Sequence, residues 1–160
     1  MDRLPTFGEL ERDLSQKIHK LYKEELEHSP DKIISKFFDN RLTIVIEDAL
    51  TAVEKTLASE DNEQIVEKIN SAISDIMKPK LKTLIETVVS VEVEDILFDS
   101  TIETKRTGAI VILSQVPQVR TPKSNWKIPK IQPKNEQNGS QADNDLVLTS
   151  ESQEQETLSG

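Results

Sequence analysis

The residues of this chain that could do chemistry are mainly carboxylates, because it has 29 Asp and Glu residues but only two histidines and no cysteine. Without cysteine, the sequence excludes thiolate nucleophiles, Cys-based zinc sites and iron–sulfur clusters. His19 and His28 both fall on the first predicted helix, where a rise of ~1.5 Å per residue separates them by roughly 13 Å. That distance is too long for a shared metal ion, so we interpret both as surface or helix-capping residues.

Two groups of acidic residues have a spacing that could suit ion binding. Glu92 and Glu94 are predicted on one face of a strand, ~7 Å apart, which could serve a divalent cation or a glycosidase-like acid pair. No apolar neighbours on that face would raise a pKa, and this favours a solvated strand face. The segment 99–104 is also acidic and rich in hydroxyls, and it could hold an ion or a phosphate. A plain hairpin connection with Gly108 in a left-handed conformation is the simpler interpretation.

Glycine-based motifs are missing from the sequence. The four glycines form neither a phosphate-binding loop, nor a dinucleotide fingerprint, nor a Gly-x-Ser-x-Gly elbow. The sequence therefore predicts no catalytic, cofactor-binding or metal-ligating residue, and we expect a protein that is not an enzyme. A net charge of −9 also argues against nucleic-acid binding, because neutralising phosphates requires clustered Lys and Arg.

The composition changes at Pro117. Residues 117–160 contain four of the seven prolines and only nine apolar side chains in 44 positions. Such a segment cannot bury enough apolar surface to offset its ordering entropy, so we predict a disordered tail at 117–160 and one folded domain at 1–116. Within the tail, 117–134 is basic and 135–160 is acidic.

The basic part of the tail is the best candidate for partner binding. It combines five cations with the only tryptophan of the chain, a composition that suits docking to an acidic partner or a membrane surface. Its prolines block a helix, so it would bind in an extended form. The alternative is that it contacts the acidic domain of its own chain, or nothing. The predicted partner-binding residues are Arg120, Lys123, Trp126, Lys127, Ile128, Lys130 and Ile131.

Apolar periodicity and turn residues predict seven elements in the domain. Capping boxes at Thr6–Glu9 and Thr51–Glu54 begin two of the helices. Pro79 lies inside a long apolar stripe that keeps its helical phase, so we predict one long helix with a kink there. The expected elements are a helix at 7–27, strands at 33–38 and 42–46, helices at 51–59 and from 62 to about 89, and strands at 91–98 and 109–113.

This order, α-β-β-α-α-β-β, predicts an α+β fold with a four-stranded, mainly antiparallel sheet and helices on one face. The strands at 33–38 and 109–113 carry apolar side chains on both faces, and a single layer of helices covers only one face. We therefore expect the second face to be covered, most simply by another copy in a homodimer. The alternative is that the first helix packs across both faces of a smaller sheet.

Hydropathy predicts no membrane span, since no run of about 18 apolar residues occurs. The N-terminal residues, Met1 to Pro5, lack the basic and then apolar layout of a signal peptide. We expect a cytoplasmic protein, with peripheral membrane contact as an open alternative.

Residues 7–116 resemble the bacterial MpsC-like proteins, named after a component of a Na⁺-translocating, membrane-potential-generating system. The resemblance covers nearly the whole predicted domain, and its motifs are those of fold and turn rather than of catalysis. The features that carry it are Leu10 to Lys23, the hairpin Asp39 to Val45, Leu50 to Leu57, Lys78 to Leu81 with Ile85-Glu86, and Asp99 to Thr104 followed by Gly108.

The resemblance implies association with a membrane ion or inorganic-carbon transport system. Because the chain offers no hydrophobic span, it would act there as a peripheral component that does not itself conduct ions. We therefore expect a non-enzymatic interaction or regulatory module with a protein partner and no cofactor. The alternative is a small-ligand or cation sensor that uses the acidic surfaces at Glu92, Glu94 and 99–103.

Overall fold

Residues 3–120, which this computed structural model describes, contain three helices and four strands in the order α-β-β-α-α-β-β. The predicted α+β class and element order are thus confirmed. The elements are α1 (Phe7–Leu26), β1 (Lys32–Phe38), β2 (Arg41–Glu47), α2 (Ala52–Ser59), α3 (Glu63–Val89), β3 (Val93–Thr101) and β4 (Arg106–Leu113).

Helix α1 begins at the predicted capping box. The Thr6 hydroxyl accepts a hydrogen bond from the Glu9 N–H, and the Glu9 carboxylate accepts one from the Thr6 N–H. These bonds satisfy two N–H groups that a helix start leaves without partners. The apolar stripe of the helix is buried, and Glu27 ends it in a left-handed conformation with φ 50°.

Helix α3 is continuous from Glu63 to Val89 and contains Pro79. The prediction of one long helix through the proline is therefore confirmed. The apolar stripe of the helix is buried on both sides of Pro79, and its buried members include Val66, Met77, Leu81 and Ile85. Proline removes one backbone donor, and tertiary burial of the stripe compensates for this loss.

The sheet is fully antiparallel, with the strand order β1-β2-β4-β3. Asp39, at φ 58°, makes the tight turn between β1 and β2, as aspartate readily does in the left-handed region. Strand β3 extends to Thr101, so the segment predicted as a connection from 99 onwards belongs in part to the strand. The left-handed residue of the following turn is Lys105 (φ 56°) and not Gly108, whose predicted left-handed conformation is wrong.

The core lies between one face of the sheet and the helices. Its largest buried members include Leu14 and Ile18 from α1, Ile44 from β2, and Met77 and Ile85 from α3. Alternate residues of each strand point into this core, as the two-residue period of a strand requires. The helices of residues 3–120 therefore form one layer, and they leave the opposite face of the sheet open.

Candidate interaction surface

The open side of the sheet, here called the outer face, consists of the strand residues that alternate with the buried ones. Strand pairing, with an ion pair between Glu47 and Arg106 at the end of β2 and β4, places these residues in four rows across the strands β1, β2, β4 and β3. The rows are Lys32–Glu47–Arg106–Thr101, Ile34–Val45–Gly108–Asp99, Lys36–Thr43–Ile110–Leu97 and Phe38–Arg41–Ile112–Asp95.

Large apolar side chains of the outer face remain in contact with water. Leu97 is 56% exposed, Ile110 is 44% exposed and Phe38 is 74% exposed. Ile34, Val45 and Ile112 are half-buried. Single exposed apolar residues are common on proteins, whereas a contiguous group across four strands is typical of an interaction site. The alternative in which the first helix covers both faces is not observed.

A groove of about 480 Å³ crosses this face. It forms because Gly108 has no side chain while its row neighbours, Val45 and Asp99, do. A Cβ at Gly108 would meet no atom within 4 Å, so there is open space above this glycine. The groove is bordered by Thr43, Leu97, Arg106 and Ile110.

Both edges of the sheet have backbone N–H groups that donate to carboxylates. On β1, the Phe37 N–H donates to Glu11 of α1 at 3.1 Å. On β3, carboxylates accept from the N–H groups of three residues: Val93 donates to Glu86, Ile96 to Asp95 and Ser100 to Asp99. Side chains that occupy edge donors oppose the pairing of another strand. The edges are therefore partly occupied by these carboxylates, and the outer face is a larger uncovered surface than either edge.

The predicted acidic groups do not converge into an ion site. Glu92 precedes β3, and the register shifts between Val93 and Asp95, so Glu92 and Glu94 are not a same-face pair of one regular strand. Asp99 and Glu103 border a cleft of about 680 Å³ between α3 and β3. Residues 3–120 contain no group of three acidic or histidine side chains placed to hold a metal ion.

The two histidines lie where a structural role suffices. His28 follows the end of α1, and its Nε2 donates to the Asp48 carbonyl oxygen at 2.6 Å. The ammonium of Lys55 donates to the Asp48 carboxylate and holds the pKa of that group below its usual range. His19 is half-buried on α1. The interpretation of His28 as a residue near the helix end agrees with these contacts.

Of the seven predicted partner-binding residues, only Arg120 lies in the described part of the chain. Its backbone N–H donates to the Pro5 carbonyl at 3.0 Å, and its guanidinium pairs with Glu9. The other six, Lys123, Trp126, Lys127, Ile128, Lys130 and Ile131, lie outside the described residues.

A buried polar cluster was missed by the sequence analysis. Glu54 is only 2% exposed, and its carboxylate accepts hydrogen bonds from the Thr51 N–H and hydroxyl and from the Asn70 amide. Near it, burial raises the pKa of Tyr22. The capping box at Thr51 indicated the first of these bonds, but only the packing of α2 on α3 brings Asn70 to Glu54. These groups fix α2 to the core.

Among the described helices, none is both long and apolar enough to cross a bilayer. A family model described as "Na+-translocating membrane potential-generating system (MpsC)" matches residues 6–115, which is more than half of the chain. No curated protein and no solved structure shows a significant match. The match spans all seven elements and therefore the whole outer face.

Proposed function

Because this chain belongs to the MpsC family, which implies a role in a Na⁺-translocating, membrane-potential-generating system, we propose that it is a non-enzymatic, peripheral component of that system. In this role it contributes contact surfaces, while other subunits provide the ion path. The proposal is that the chain docks reversibly and regulates or stabilises the assembly.

The outer face is the observation that carries this proposal. Leu97 on the edge strand β3 and Ile110 on the central strand β4 expose about half of their surface to water, although the other face of β4 is buried. Apolar surface in this arrangement is favourable only when something covers it. A protein that works by association uses such a surface.

The basic segment at 117–134 supplies a second contact in this proposal. Lys123, Lys127 and Lys130 with Trp126 are suited to an acidic protein surface or an anionic leaflet, where each cation contributes about 1 kcal/mol. Arg120 contributes less, because its guanidinium already pairs with Glu9 at 3.0 Å. This segment accounts for recruitment to a membrane assembly, since none of the helices in residues 3–120 can span a bilayer.

Add-back to membrane vesicles tests the proposal. Everted vesicles from cells that lack this chain should develop a smaller Na⁺-dependent potential, measured with a voltage-sensitive dye, than vesicles from the parent cells. Purified full-length chain should bind the vesicles and restore the potential. A variant in which Trp126→Ala is combined with Lys127→Glu and Lys130→Glu should bind more weakly and restore less.

The control variant combines Glu154→Gln and Glu156→Gln, in the acidic part of the tail and far from Trp126 in the sequence. It should bind the vesicles and restore the potential like the unchanged chain. Vesicles whose Na⁺-dependent potential is the same with and without the chain would rule out the role in the Na⁺ system. Equal binding by the Trp126 variant would rule out the part given to the basic segment.

A further inference from the structure

We propose that the outer face is covered by the outer face of a second copy, with a two-fold axis that lies between the two sheets and runs parallel to the strands. The inference rests on the proposed function in one respect, because it takes the outer face as a contact surface and names a second copy as its occupant. Contact with the membrane assembly is then left to the basic segment at 117–134. A two-fold axis makes each contact occur twice, so the face must be complementary to itself.

The charges at the two sides of the outer face are opposite in sign. Lys32 and Lys36 lie on β1, with Arg41 next to them on β2, whereas Asp95 and Asp99 lie on β3. The remaining charges, Glu47 on β2 and Arg106 on β4, pair with each other at 2.6 Å on the two central strands. A two-fold axis parallel to the strands places β1 of one copy over β3 of the other. Cations then meet carboxylates at both borders of the interface, which steers the two copies and fixes their orientation.

The rows also match along the strand direction. A rotation about this axis does not change the position of a residue along the strand direction. Lys36 is in the same row as Leu97, and this row lies between the rows that contain Asp95 and Asp99. The Lys36 ammonium already pairs with Glu11 at 2.7 Å, but 69% of its side chain is exposed, so a carboxylate of the other copy has to share or replace that ion pair. Val45 and Ile110, on the two central strands, come to lie near the axis and exclude water.

Two other arrangements of two copies are disfavoured by the same charges. An axis across the strands would stack β1 over β1 and β3 over β3, and thus Lys on Lys and Asp on Asp. Edge-to-edge pairing of β3 with itself about Leu97 would set Asp95 opposite Asp99, and like charges in directly opposed positions destabilise a strand pair. The face-to-face arrangement with the parallel axis is the one that pairs unlike charges.

The mass of the full-length chain in solution tests the inference. Sedimentation equilibrium should give twice the chain mass of 18.1 kDa at micromolar concentration. Ile110→Asp places a charge at the centre of the outer face, and we expect it to weaken dimerisation at least tenfold. The control is Ile76→Asp on α3, which is similarly exposed, at 51% against 44%, and should leave the dimer unchanged.

A charge exchange gives a second test that does not depend on the apolar centre. Lys36→Glu and Asp99→Lys should each weaken the dimer about tenfold, and the two together should restore most of the affinity. Circular dichroism verifies that each variant is folded. Three results would each overturn the inference. The chain could be monomeric up to about millimolar concentration, the Ile110→Asp variant could dimerise like the original, or the double variant could dimerise as weakly as the two single variants. In the first two cases, a lipid surface or a different protein becomes the occupant of the outer face.

Discussion

The Arg120 guanidinium binds the Glu9 carboxylate through hydrogen bonds from Nη2 to both oxygens, at 3.0 and 3.1 Å. The pair joins the end of the described residues to the first turn of α1, 111 positions earlier in the chain. Glu9 is the same residue that closes the capping box with Thr6. One carboxylate therefore both caps α1 and holds the segment that follows β4.

The first prediction concerns the pKa of Glu9. The Thr6 N–H has the largest effect and the Arg120 charge adds to it, so this pKa lies below its ordinary value. Stabilisation from a lowered pKa is present above the ordinary glutamate value and is lost as the pH falls through the folded-state pKa. Arg120→Ala should raise the Glu9 pKa only part of the way, as followed by carboxyl NMR titration.

Lys20→Ala is the control for this titration, because Lys20 is an exposed residue of α1 that lies eleven positions after Glu9 and faces Glu24. It should leave the titration of Glu9 where it is. An Arg120→Ala variant with the same Glu9 pKa as the unchanged chain would show that the pair does not form in solution.

The second prediction concerns the stability contributed by Glu54. Glu54→Ala removes a buried side chain and leaves the half-buried donors of Thr51 and Asn70 without this acceptor, and we expect a loss of about 1–3 kcal/mol in the free energy of unfolding. Urea denaturation followed by circular dichroism measures this value. Glu67→Ala, at an exposed position of α3 beyond its first turn, should change it by less than about 0.5 kcal/mol. Equal losses in the two variants would contradict the role given to Glu54.

The third prediction concerns the only tyrosine. Burial is the main cause that raises the pKa of Tyr22, and the nearby Glu54 charge adds to it. The stabilisation linked to a raised pKa is complete below the ordinary tyrosine value of about 10 and is lost as the pH rises beyond it. We expect tyrosinate absorbance to appear only together with unfolding. A midpoint near pH 10 in a chain that keeps its circular dichroism would contradict this, and Tyr22→Phe supplies the baseline.

Patterns that depend on nearby residues were predictable from the sequence. The apolar stripe around Pro79 kept its phase, and the helix does continue through it. The apolar residues on both faces of the strands indicated a sheet that one helical layer cannot cover. Both conclusions follow from periodicity, which the chain imposes locally.

Features that depend on distant contacts were not predictable. The burial of Glu54 requires Asn70 of α3, and the position of Arg120 requires Glu9. The irregular register near Glu94 arises in the pairing of β3 with β4, and it interrupts the two-residue alternation that would place Glu92 and Glu94 on one face of an ideal strand. Charge segregation on the outer face likewise becomes visible only when the strand order places β4 between β2 and β3.

The fourth prediction separates folding from assembly at Gly108. Because a Cβ there meets open space and β4 is a regular strand, Gly108→Ala should raise the free energy of unfolding by about 0.5–1 kcal/mol. Gly108→Arg should also fold, as measured by thermal melting, but should weaken dimerisation because it fills the groove of the outer face. An arginine variant that dimerises as tightly as the alanine variant would contradict this assignment of the groove.

The distance between two copies tests the central claim most directly. The chain has no cysteine, so Gln115→Cys, an exposed site just after β4, can carry a single spin label for pulsed EPR. Stacked sheets lie about 10 Å apart and four strands span about 14 Å, so an axis parallel to the strands predicts a label separation of about 30 Å or less. A clearly longer separation would contradict the proposed axis, and the absence of any distance between copies would contradict the dimer itself.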